Sequence, residues 1–291
     1  MDDALTPSKA AYKFTHVLDL FAQVHGTARF PVDIVALAKD AANQFGWKDP
    51  ITQVEAADIQ RFEGALFANE GRSKWCLLYN SAMKSSGRIR FTQAHELGHY
   101  ILHRAQQSAF NCAEDDVVNR DTDEATIEAQ ADAFAATLLM PLNDFRKQMD
   151  GSADFHGLGA CADRYGVSLT AATLRWLKDT DRQAVLIVHR DGYMRWAFSS
   201  KAAAKNGAFF RSRQQLVEIP SRSLAADESV SVERVGEEIA ATTWFPHAPP
   251  GLSLREMKIT ATDYDTTMSL LVLPRGASVW QPWQERQPGS R

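Results

Sequence analysis

The segment that most constrains this chain is Phe91-Thr92-Gln93-Ala94-His95-Glu96-Leu97-Gly98-His99. Its spacing predicts a helix over 91–103, and two helical residues four apart project from one face, one turn above the other. Imidazoles so placed can reach a single divalent ion at about 2.0–2.1 Å. Glu96, beside the first imidazole, then stands next to the ion without binding it, where it can take a proton from water. Such a site is incomplete as it stands. A catalytic zinc takes a third protein ligand and keeps one position open.

The chain offers that ligand in Ile127-Glu128-Ala129-Gln130-Ala131-Asp132-Ala133-Phe134, within a second expected helix over 123–140 that Pro141 stops. Asp121 with Glu124 has the form of a capping box at its start. Glu128 and Asp132 are again four apart, while Ile127, Ala131, Phe134 and Leu138 form an apolar stripe on another face. One carboxylate can complete a His–His–Glu site and the other can accept the free N–H of a ligand imidazole. We assign Glu128 as the ligand and Asp132 as that acceptor, with the reverse assignment as the alternative. Glu124 reads as part of a solvated face. His103 extends the His95/His99 stripe, but eight helical residues rise about 12 Å, too far to share an ion with His95. It reads as a helix-end histidine near the C-terminal dipole. His16, His25, His156, His189 and His247 have no comparable context.

Composition sets outer limits. Thirty-two Lys+Arg against 36 Asp+Glu leave a formal charge of −4, which disfavours nucleic acid as principal partner. No apolar stretch approaches the roughly 18 residues of a bilayer span, and the acidic N-terminus does not resemble a secretory signal. The expected location is the cytoplasm. Cys76, Cys112 and Cys161 are far apart with no CxxC pair, so neither a disulfide framework nor a cysteine zinc knuckle is expected. Cys76, inside WCLLY, reads as a small buried hydrophobe.

Along the chain, Phe14, Val17, Leu18, Phe21 and Val24 recur at helical spacing, as do Ile34, Leu37, Ala41 and Phe45. Both stripes read as core-facing helices. ITQVEAA, FEGALF and WCLLY read as strands, the last two forming a hairpin around Asn69-Glu70-Gly71. Two short helices are expected at 157–165 and 169–178, joined at Gly166-Val167-Ser168. From Gln183 strands dominate, with hairpins at Asp191-Gly192 and near 263–265. The tail WQPWQERQPGSR is expected to fray. We place a boundary near 181, giving residues 1–181 and a β-rich portion 182–291 of open role.

RIRFTQAHELGHYILH at 88–103 and EAQADAFAATLLMP at 128–141 resemble the two signatures of the ImmA/IrrE family of zinc metallopeptidases. PVDIVALAK at 31–39 and LLYNSAM at 77–83 resemble the region preceding them, so the likeness spans roughly 10–180. It implies an α+β fold: a compact gluzincin-like metallopeptidase domain, a helix-turn-helix-like extension at 155–180, then the β-rich portion. It implies His95, His99 and Glu128 as zinc ligands (manganese being an alternative), Glu96 as general base, and Asp132 at the acidic position after Glu128. By resemblance the substrate is a helix-turn-helix transcriptional repressor, cleaved in stress response or mobile-element induction. An extended substrate could pair with WCLLY. Two other readings stand beside this one: a non-catalytic zinc-containing regulator that binds a repressor, and a DNA-binding regulator using 157–178. Against the latter, that segment has few basic residues and the chain's net charge is negative. No membrane partner and no direct nucleic-acid contact are expected.

Overall fold

The computed structural model describes residues 5–112, 122–149 and 153–280. Among them eight α-helices and two sheets make a mixed α+β architecture. The chain divides into two compact units: Met1–Asp150 with Gly159–Ala172, and Gly151–Leu158 with Thr173–Arg291. The Asp121–Glu124 capping pair and the tail beyond 280 lie outside the described residues.

The first unit opens with two capped helices. In α1 (Pro7–His25) the Thr6 hydroxyl accepts from Lys9 N and Pro7 occupies the first turn, where its missing N–H costs nothing. Asp33 caps α2 (Ile34–Phe45) by accepting from Ala36 N at 3.0 Å. Both helices end on a glycine in the left-handed region, Gly26 at φ 64° and Gly46 at φ 68°. The expected stripe of α2 is buried at Ile34, Leu37 and Ala41. That of α1 is corrected. Phe14 is fully buried, but Val17, Phe21 and Val24 are 48%, 55% and 68% exposed. The face that packs is Ala10, Ala11, Phe14 and Thr15.

Strands β1 (Ile51–Ala57), β2 (Gly64–Ala68), β3 (Trp75–Asn80) and β4 (Ala109–Cys112) form a sheet in the order β1-β3-β2-β4. β2 and β3 make the expected antiparallel hairpin, whereas β1 joins β3 in parallel. β4 is a four-residue edge strand that the sequence did not announce. Helix α3 (Ser86–His103) begins five residues before the expected Phe91, capped by Ser85, whose hydroxyl accepts from Arg88 N. It packs on β2 and β3 and also on α4 (Thr122–Leu139), which in turn meets α1. Phe134 of α4 meets Phe14 edge-on at 6.1 Å. A helix enclosed on several sides is buried around most of its circumference, and α3 buries every residue from Thr92 to Ile101. Polar side chains on it therefore have to be satisfied inside the protein.

After α5 (Leu142–Gln148), helices α6 (Phe155–Tyr165) and α7 (Leu169–Asp179) turn at Gly166, with φ 60°. The second unit carries β5 (Gln183–Arg190), β6 (Tyr193–Ser199), a short α8 (Lys201–Lys205), β7 (Val232–Ala240), β8 (Ser253–Ala261) and β9 (Thr266–Leu273). They form one antiparallel sheet, ordered β6-β5-β9-β8-β7. Asp191 and Gly192 both adopt positive φ, 51° and 76°, as a tight hairpin turn that follows the strand twist requires. β5 is buried on both faces except at Arg190, which accounts for its unbroken apolar run. Edge strand β7 shows no clean alternation because a bulge lies between Glu233 and Glu237.

Candidate metal centre

The site begins with how closely α3 and α4 approach. A Cβ on Gly98 would lie 3.1 Å from Ala131 Cα and 3.1 Å from the Phe134 ring. Gly98 thus lets the two helices cross tightly at the turn that carries His99 and just past Glu128. The crossing faces the histidine side of one helix to the carboxylate side of the other. On its sheet side, Tyr100 Oη donates to the Asp49 carbonyl at 2.9 Å, tying α3 to the start of β1.

Three donor atoms converge at this crossing. His95 Nε2 lies 3.1 Å from Glu128 Oε2, His99 Nε2 lies 3.3 Å from Glu128 Oε1, and the two Nε2 atoms are 3.0 Å apart. These three side chains are the group among the described residues whose donor atoms cluster tightly enough to hold a metal ion. Tetrahedral bonds of about 2.0–2.1 Å place neighbouring ligand atoms roughly 3.3 Å apart. The observed edges fit that spacing.

Protonation favours the same conclusion. Asp132 Oδ1 is 2.9 Å from His95 Nδ1. A carboxylate can only accept there, so Nδ1–H donates and the His95 Nε2 lone pair is left facing the cluster. Burial lowers the pKa of His99 to about 4 despite the neighbouring Glu128 carboxylate, so its imidazole is neutral at pH 7. Neutral imidazole and ionised carboxylate are the ligating forms. The donor set fits a divalent cation.

Glu96 is fully buried on α3. A Cβ on Gly64 would collide with Glu96 Oε1 and lie 2.6 Å from Thr92 Cγ2. Strand β2 therefore passes directly over Glu96, and only glycine permits that approach. The loop leading to Gly64 is fixed by Asn80, whose amide donates to the carbonyls of Ile59 (3.1 Å) and Phe62 (2.9 Å). Neither Gly64 nor Asn80 was singled out from the sequence; a glycine at the start of a strand was the available signal.

One expectation is sharpened and one changes. His103 does end α3, as expected, but it is also buried at 2% exposed, with Nδ1 3.2 Å from His99 Nδ1 and Nε2 2.9 Å from Gln130 Oε1. WCLLY, as β3, lies between β1 and β2 with both edges paired, so it has no edge to offer a substrate. β4 is the edge strand at this end of the sheet. Its Phe110 stacks on the His99 ring at 4.6 Å with an interplanar angle of 19°.

No helix among the described residues is long and apolar enough to cross a membrane. A comparison with curated proteins gives no match. A family model does match: that of the M78 peptidases, described as the IrrE N-terminal-like domain, covers residues 48–177. The match takes in β1 through most of α7 and leaves α1, α2 and the C-terminal sheet outside. Residues 48–177 thus carry an M78 peptidase (IrrE N-terminal-like) domain, matching the ImmA/IrrE family that the two motifs resemble.

Proposed function

We propose that the chain is a zinc-dependent metallo-endopeptidase of gluzincin-like type, with His95, His99 and Glu128 as ligands and Glu96 as general base. The observation that carries the proposal is the convergence of two imidazole nitrogens and a carboxylate within 3.0–3.3 Å of one another in a family of peptidases. A zinc or manganese ion held there would supply Lewis acidity to the scissile carbonyl and to water. Glu96 takes the proton from the attacking water and returns it to the departing amine. Asp132 holds the His95 ring in place, and Gly64 leaves room for the Glu96 carboxylate under β2. An extended substrate can add to the outer edge of β4, on which no further strand pairs among the described residues. There Ala109 and Asn111 are exposed. The substrate class we favour is a helix-turn-helix repressor, by resemblance to the family.

The test is Glu96→Gln in the full chain. It should retain one zinc per chain while hydrolysis of a co-expressed candidate repressor falls by about 10²–10⁴-fold. Cleavage at the wild-type rate would remove Glu96 from the mechanism. A wild-type chain that binds zinc and the repressor but never cleaves it would favour a regulator that works by binding alone.

A further inference from the structure

We infer that Gln130 and His103 set the tautomer of His99 and are positioning residues of the metal centre. The inference rests on the metal-centre reading above and adds to it the chain of groups that makes the second imidazole a ligand. The two histidines are supported differently. His95 has the Asp132 carboxylate behind it, which can only accept. His99 has another imidazole behind it, His103 Nδ1 at 3.2 Å from its own Nδ1. Two neutral imidazoles can share a hydrogen bond in either direction, so this contact alone leaves the His99 tautomer open.

The direction is decided one step further out. His103 Nε2 lies 2.9 Å from Gln130 Oε1, and a carbonyl oxygen only accepts. The His103 proton therefore sits on Nε2, and its Nδ1 presents a lone pair. His99 Nδ1–H donates to that lone pair, which leaves the His99 Nε2 lone pair facing His95 Nε2 and Glu128. The opposite direction would place a proton on His99 Nε2, in the middle of the three donor atoms, and block ligation. Phe110 covers the chain, stacked at 4.6 Å on His99 and 6.2 Å from the His103 ring. Gln130 stands two residues after Glu128 on α4, so one helix supplies both the carboxylate ligand and the group that sets the second imidazole. A hydrogen-bond partner behind a metal-bound histidine orients the ring and raises its basicity.

The test has two arms, both on the full chain. Long-range ¹H–¹⁵N NMR of the metal-free wild type at neutral pH should show His99 protonated at Nδ1 and bare at Nε2. An Nε2–H tautomer overturns the inference. In the second arm, zinc affinity is measured by competition with a chelating dye. Gln130→Met, which keeps the volume and removes the acceptor, should bind about 10–100-fold more weakly. Gln130→Glu, which can only accept, should stay near wild type. Gln130→Met with wild-type affinity, or both variants equally weakened, overturns the inference. If His95→Ala and the wild type alike bind no zinc, the metal-centre reading fails, and the NMR arm still decides the tautomer.

Discussion

Each unit of this chain holds a glutamate in polar company, half-buried in the first and fully buried in the second, and the two sites are built to opposite ends. At the α3–α4 crossing, Glu128 faces lone pairs: His95 Nε2 is 3.1 Å away and His99 Nε2 3.3 Å away. In the C-terminal sheet, Glu256 on β8 is fully buried and faces protons. Its Oε1 accepts from Ala225 N at 2.7 Å, and its Oε2 accepts from Leu224 N at 3.2 Å and Trp244 Nε1 at 2.9 Å. Burial raises the Glu256 pKa against these donors. The first carboxylate has lone pairs aimed at a point where a cation would sit. The second is satisfied by the protein itself, pinning the short turn at 224–226 and Trp244 to the sheet. Burial of charge does not by itself mark a functional site. What marks one is the direction in which the lone pairs and protons point.

The largest expected effect breaks that comparison open with one chemical change made twice. Glu128→Gln should weaken zinc binding beyond the ~10–100-fold that loss of a supporting hydrogen-bond partner costs. The melting temperature of the metal-free protein should not fall, because one of three mutually repelling electron-pair donors becomes neutral. Glu256→Gln should do the reverse. An NH₂ group turned toward backbone and indole donors leaves a buried N–H unpaired, at a cost of about 1–3 kcal/mol of stability, with zinc affinity unchanged. Calorimetric unfolding and a zinc titration on both variants decide it. Equal loss of stability in the two would mean that Glu128 is a structural carboxylate like Glu256.

A pH titration sharpens the contrast. His189 on β5 is 6% exposed, its Nε2 finds no partner among the described residues, and burial and the nearby Lys258 ammonium lower its pKa to about 4. The unfolded chain protonates this group near pH 6.5, the folded chain only near pH 4. Between those values the unfolded state binds more protons, so stability falls as pH falls and rises as pH rises. The full contribution is on the order of 3 kcal/mol. His99 adds a slope of the same sign in the metal-free protein, because burial lowers it too. His189→Gln should flatten the stability profile between pH 6.5 and 4 with zinc loaded or absent. If that profile is unchanged, His189 is protonated in the folded protein and the C-terminal sheet harbours an anion partner for it.

Much of this arrangement was legible along the chain because the informative spacings are local. His95 with His99, and Glu128 with Asp132, are one helical turn apart, so each pair declares its face without knowledge of the fold. Asp191-Gly192 declares its hairpin for the same reason. What could not be read depends on which segments meet. The order β1-β3-β2-β4 places WCLLY in the interior through a parallel pairing with β1 more than twenty residues away, Ile51 opposite Trp75. β4, only Ala109–Cys112, is too short to show a period. The partnership of His103 with Gln130 crosses between two helices and 27 positions. Gly64 shows its purpose only once Glu96 lies beneath it.

The smallest effect comes from the apolar side of the same lesson, on helix α1. Phe14 and Phe21 are seven residues apart, two turns of helix, and by periodicity alone they belong to one stripe. Seven residues turn through about 700° on an α-helix, so the second ring sits some 20° away from the first. That drift, with only Ala10, Ala11, Phe14 and Thr15 reaching the core, leaves Phe21 55% exposed, its ring tilted by 40° against His25 at 4.3 Å. Phe14 instead fills the space between Phe45 and Phe134. Phe14→Ala should cost about 3–5 kcal/mol. Phe21→Ser should change stability by no more than about 0.5 kcal/mol, the range for surface positions. Thermal unfolding of the two variants under identical buffer and metal conditions measures the difference. A loss at Phe21 approaching that at Phe14 would show that the exposed half of α1 is covered in solution.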